Sequence, residues 1–116
     1  MKINPNVLRK KVIDMVRAKQ SGHIGGCFSM AELTSVLYEE YEMGGRDKLI
    51  LSKGHAVPII YAALHEMGEI TDEELDLFRE IDSPLQGHPD KERLPILDAT
   101  TGSLGQGLSI AIGHSL

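Results

Sequence analysis

The chain has 116 residues, room for one small domain, whole or partial, and its 41% hydrophobic, 25% charged composition is ordinary for a globular protein. Against 12 Lys and Arg stand 17 Asp and Glu, a net charge of −5 with no basic stripe among aromatics, which argues against nucleic acid as a partner. No apolar run nears the roughly 20 residues of a bilayer span, no signal core follows the N-terminal lysines, and Cys27 is alone. Neither membrane association nor a disulfide is expected, and a reducing cytoplasm fits.

In chain order, Lys2 to Gln20 is predicted as a helix from the spacing of Leu8, Val12, Met15 and Val16. Pro5 suits its first turn, and Arg9, Lys10 and Lys11 fall on the opposite, solvated side. A loop follows at Ser21-Gly22-His23-Ile24-Gly25-Gly26. Ser29-x-x-Glu32 reads as a capping box opening a second helix with a stripe of Met30, Leu33, Leu37 and Tyr41, ended by Gly44-Gly45. Cys27, between loop and helix, reads as a small buried residue.

Leu49-Ile50-Leu51, apolar throughout and bounded by polar residues, suits a strand buried on both faces. Ser52-Lys53-Gly54-His55 is a tight turn, and a helix with Pro58 in its first turn runs to Gly68. Thr71-x-x-Glu74 is a second capping box, leading to Leu75 and Phe78. Ser83 to Arg93 reads as an extended surface loop, and Ile96-Leu97 with Ala99 as a brief second strand. A small-residue turn then opens a helix from about Gly105, with Leu104, Leu108, Ile112 and Leu116 on one face.

This order predicts an α/β fold, helices packed on a parallel sheet, and two short strands leave that sheet incomplete. The uncovered face of the last helix points the same way, to a fragment or to one subunit of a larger assembly.

Four of the five histidines directly follow a glycine. His23, His55 and His88 stand in loops at element ends, where an imidazole can transfer protons or stabilise oxygen charge near neutral pH. Zinc is a poor fit, since no His or Cys pair has the usual ligand spacing. His65 reads as a mid-helix surface or packing residue, and His114 has no assigned role. Gly102, Gly105 and Gly107 leave the last turn's backbone bare, beside a helix N-terminus suited to an anionic ligand.

Ser21-Gly22-His23-Ile24-Gly25-Gly26, Leu51-Ser52-Lys53-Gly54-His55-Ala56, Leu85-Gln86-Gly87-His88-Pro89 and Thr101-Gly102-Ser103-Leu104-Gly105-Gln106-Gly107 resemble the N-terminal part of transketolases. The motifs come in the family's order and cover almost the whole chain. The resemblance implies that residues 1–116 are the N-terminal portion of a diphosphate-binding domain, taking thiamine diphosphate as an electron-sink cofactor. The implied reaction moves a two-carbon ketol unit from a ketose phosphate to an aldose phosphate.

By that resemblance His55 lies near the diphosphate and His88 near the reactive ring. His23 meets the donor's hydroxyls, and Gly102, Ser103, Leu104, Gly105 and Gln106 form the turn against the cofactor. Magnesium is implied as well, its ligands expected beyond Leu116 and none within this chain. The implied partners are sugar phosphates and the missing C-terminal part or a second subunit, in a homodimer or heteromer. Alternatives are a relative acting on another sugar and a non-catalytic remnant or assembly module of the same fold.

Overall fold

The computed structural model describes residues 2–43 and 45–116. Six α-helices are present among them: α1 (Pro5–Lys19), α2 (Gly25–Ser29), α3 (Ala31–Glu40), α4 (Val57–Glu66), α5 (Asp72–Asp76) and α6 (Gln106–Ser115). A short 3-10 turn, Gly54–Ala56, leads directly into α4. The packing centre is α4, whose residues from Val57 to Leu64 are all buried and which touches α1, α2, α3 and α5. It is apolar all round because it is surrounded.

Local chemistry sets several boundaries, and α1 runs from Pro5 to Lys19 within the expected Lys2–Gln20 span. Pro5 opens α1, Asn4 caps it by accepting from the Asn6 N–H, and Leu8, Val12 and Met15 are buried. Arg9 and Lys11, by contrast, are not free in solvent. Arg9 donates to the Phe28 carbonyl and pairs with Glu32, and Lys11 pairs with Glu66, so both tie α1 to its neighbours. The Thr71–Glu74 capping box forms in full and starts α5, and Phe78 is completely buried just beyond it. His65 joins three helices: its Nε2 meets Asp72 Oδ1 at 2.6 Å and its Nδ1 meets the Lys11 ammonium. An ammonium only donates, so Nδ1 accepts and Nε2–H donates to the carboxylate.

The expected capping box at Ser29 does not form. Ser29 Oγ instead donates to the Gly26 carbonyl, Glu32 pairs with Arg9, and Met30 is the uncapped start of α3. The helical phase therefore differs from the one expected. Ala31, Thr34, Ser35 and Tyr38 are buried, while Leu33 (55% exposed) and Tyr41 (52%) face outward. Apart from Tyr38, the buried side is lined by small residues, which let α3 pack closely on α1 and α4. The expected stop at Gly44-Gly45 falls partly outside the described residues; α3 ends at Glu40.

No strand forms among the described residues, so the expected parallel sheet is not observed; an isolated parallel bridge joins Met43 and Asp47. The segments around Leu49–Leu51 and Ile96–Ala99 do run side by side in the same direction. Side chains rather than a backbone ladder hold them: Asp98 Oδ2 accepts from the Leu49 N–H at 2.8 Å, and Thr101 Oγ1 donates to the Leu51 carbonyl at 2.7 Å. A two-member ribbon has no third strand to reward regular pairing, and these carboxylate and hydroxyl groups satisfy the backbone instead. Ser83–Arg93 likewise departs from a simple surface loop, since Ser83, Leu85 and Pro89 are buried.

Candidate functional site

The site is built where loops meet at the N-terminal end of α4. Lys53 precedes the 3-10 turn, and its ammonium donates to the Gly26 carbonyl at 3.0 Å and to Ser29 Oγ at 3.1 Å. Cys27 Sγ donates to the carbonyls of His23 and Ala56, both at 3.4 Å. These contacts stitch α2 and its leading loop onto the turn that carries His55. Burial pushes the Cys27 thiol above its ordinary value, so it stays a neutral linking group.

The histidine rings follow from that stitching. His23 and His55 meet edge to face, with centroids 5.4 Å apart and planes at 73°. His23 is exposed and His55 half-buried. A Cβ on Gly26 would stand 3.4 Å from His55 Nε2, so the bare backbone of α2 forms the floor beneath that ring.

The third and fourth loops close on the same turn. At Gly54 a Cβ would stand 3.0 Å from Gly102 N and Cα, so the 53–56 and 101–107 turns touch backbone to backbone. On the far side of Gly102 lies His88, whose Cδ2 would be 3.4 Å from a Cβ there. The Thr101 N–H donates to the Pro89 carbonyl at 3.2 Å and fixes that approach. Gly107, in the first turn of α6, packs against Ser52: a Cβ would fall 2.5 Å from Ser52 Cα. His23 thus meets the His55 ring, the turn carrying His55 meets Gly102, and Gly102 meets His88.

Ser103, Leu104, Gly105 and Gln106 are exposed on the turn. Gly105 has φ +87°, a left-handed conformation that glycine adopts without strain, and no side chain caps α6. The Gln106 N–H donates to the Ser103 carbonyl at 3.2 Å, and the next N–H groups of the first turn, which no side chain caps, can meet an incoming anionic acceptor. Among the described residues no group of three or more His, Cys, Asp or Glu is placed to hold a metal ion. The same residues contain no helix long and apolar enough to cross a membrane.

Three contributors carried no functional reading at the sequence level. Lys53 belongs to a recognised motif, yet its bonds depend on where α2 folds back. Tyr61 donates to the Gln86 carbonyl at 2.8 Å and anchors the loop before His88. Arg79 lies over that loop in a positive-φ conformation that no periodicity reveals.

Comparison with known proteins identifies the family. A family model described as "Transketolase, thiamine diphosphate binding domain" matches residues 2–116. Human transketolase-like protein 2 is 43% identical over 116 residues, covering 93% of this chain and 18% of that protein. A 6-deoxy-6-sulfo-D-fructose transketolase subunit from a Clostridium species is 40% identical over 119 residues, covering 96% of this chain and 43% of its own length. The solved structure of transketolase from Leishmania mexicana superposes with a TM-score of 0.87 at 36% identity, over 94% of this chain and 18% of that one. This chain therefore belongs to the family of the transketolase thiamine diphosphate binding domain.

Proposed function

We propose that this chain is the N-terminal portion of the diphosphate-binding domain of a transketolase-like enzyme, working together with a further C-terminal part or subunit. The enzyme would move a two-carbon ketol unit from a ketose phosphate to an aldose phosphate. The observation that carries this reading is the series of contacts linking four loops: His23 with His55, the 53–56 turn with Gly102, and Gly102 with His88.

Thiamine diphosphate, when bound, supplies the electron sink for carbon–carbon bond cleavage. In this reading the residues take the tasks that the family resemblance implies. The turn Gly102–Gly105 and the first turn of α6 beyond the Gln106 N–H, which bonds to Ser103, offer N–H donors to the diphosphate, with His55 on the adjoining turn. His88, across Gly102, faces the region of the cofactor ring. His23, exposed at the rim, hydrogen-bonds donor hydroxyls. Imidazoles so placed pass protons to and from those oxygens, worth about a hundredfold to ten-thousandfold in rate for each well-placed acid–base group.

Magnesium would accompany the diphosphate, held through carboxylates and phosphate oxygens. Its protein ligands are assigned outside these residues, and the chain alone is expected to bind the cofactor weakly and to turn nothing over. The likeness to a subunit whose name records a sulfo-sugar keeps a second reading open, that of a relative acting on another sugar within a split enzyme.

Titrating the chain with thiamine diphosphate and magnesium, followed by nuclear magnetic resonance, tests this. The ring signals of His55 and His88 and the amides of the 102–106 turn should shift. Shifts confined to other surfaces would sink the proposal. Tight magnesium-dependent binding would overturn the assignment of the metal ligands to another part.

A further inference from the structure

The loop that ends at His88 is held from three sides. Tyr61 Oη donates to the Gln86 carbonyl at 2.8 Å, and the Arg79 N–H donates to the Leu85 carbonyl at 2.8 Å. The Gln86 amide donates to the carbonyls of Glu80 and Ser83 at 2.9 and 2.8 Å. Arg79 has φ +64°, a region where a residue with a Cβ is strained and glycine or asparagine is at ease. A strained backbone persists only where the surrounding structure holds it, and beside a functional loop it raises the question of the side chain's task.

The side chain's position identifies that task. The guanidinium lies on Gly87, so close that a Cβ there would stand 2.2 Å from Nη1. It makes no ion pair with a carboxylate among the described residues, although the chain carries 17 acids to 12 bases. It also shares a cleft with His88, Pro89 and Thr100. We propose that Arg79 is a positioning residue for His88: the planar fork of this exposed side chain, lying against the bare Cα of Gly87, sets the direction in which the neighbouring imidazole projects over Gly102. The functional weight of this inference rests on the reading of His88 as part of the cofactor wall, whereas its test needs no cofactor.

Two substitutions on the full chain decide it. Arg79→Gly removes the guanidinium while relaxing the backbone, and Gly87→Ala keeps the arginine but displaces its fork. Proton–carbon spectra of the histidine rings give the readout, with His23 and His55 as internal references, alongside the melting temperature. Both variants should move the His88 ring signals and leave the other two in place. Arg79→Gly should melt no lower than the parent, and the double variant should move His88 no further than the larger single shift.

Unmoved His88 signals in the folded Arg79→Gly chain would overturn the proposal, as would a lower melting temperature with all three rings shifted alike. If Gly87→Ala fails to fold, Arg79→Asn replaces it, with the same expected shift and the same contrary result. A cofactor titration of the parent that perturbs none of the rings would instead count against the cofactor reading, leaving the Arg79 effect on His88 to stand by itself.

Discussion

Glycine in a helix usually costs stability, yet at Gly107 the balance runs the other way. Replacing a helical glycine by alanine gains up to about 1 kcal/mol in propensity. At Gly107 the new methyl would stand 2.5 Å from Ser52 Cα, a backbone atom unable to swing aside. Overpacking of that kind costs about 1–3 kcal/mol, so the clash wins. Gly107→Ala should lower the urea midpoint and loosen the seat of α6 on the 52–55 turn. Gly113→Ala in the same helix has nothing within 4 Å of its Cβ and should raise the midpoint by about 0.5–1 kcal/mol of stability. Opposite signs for two like substitutions would tie Gly107 to close approach; equal signs would refute that. The sequence marks Gly102, Gly105 and Gly107 as bare backbone but not what each touches, because Ser52 lies 55 residues earlier and only the fold brings it near.

Among the elements, what was legible in the sequence was local. The Thr71–Glu74 box works because both partners lie within one turn, so its two hydrogen bonds need no tertiary help. Thr71→Ala should therefore cost about 0.5–2 kcal/mol, read as a lower melting temperature, with the site's histidine signals unmoved. The same pattern at Ser29 fails for a tertiary reason. Arg9 claims Glu32, and α2 already occupies Gly25–Ser29, so Ser29 ends one helix instead of opening another. Of the expected stripe Met30 is buried, Leu37 half-buried, and Leu33 and Tyr41 exposed. The two strand segments are apolar and adjacent as expected, but a ladder needs further partners, and Asp98 and Thr101 meet their backbone groups instead. Arg79 was invisible for another reason: a left-handed residue in the stretch between α5 and the His88 loop leaves no periodic trace.

For the whole molecule, three buried acids set the response to alkali. Burial pushes the Cys27 thiol above its ordinary value of 9.0. It also pushes the Tyr38 and Tyr61 phenols well above their ordinary 10.0, helped at Tyr38 by the negative Asp98 and at Tyr61 by Asp90. Each group loses its proton sooner in the unfolded chain than in the fold. As pH climbs past about 9 the unfolded state therefore binds fewer protons, and stability falls. The contribution is fully present below that point and drains away through the folded-state values. One pH unit above the ordinary tyrosine value, each phenol accounts for about 1.4 kcal/mol of lost stability. Thermal melts should thus be level from about pH 7 to 8.5 and fall steadily above about 9.5. Tyr38→Phe should flatten that slope, because its ring stays buried and its titration is gone. The hydroxyls and thiol concerned lie in α2, α3 and α4, the helices that hold the His23–His55 wall, so the ring contact should loosen over the same interval. A melting temperature constant to about pH 11 would show that these groups are hydrated in solution and that the packed centre around α4 is not closed.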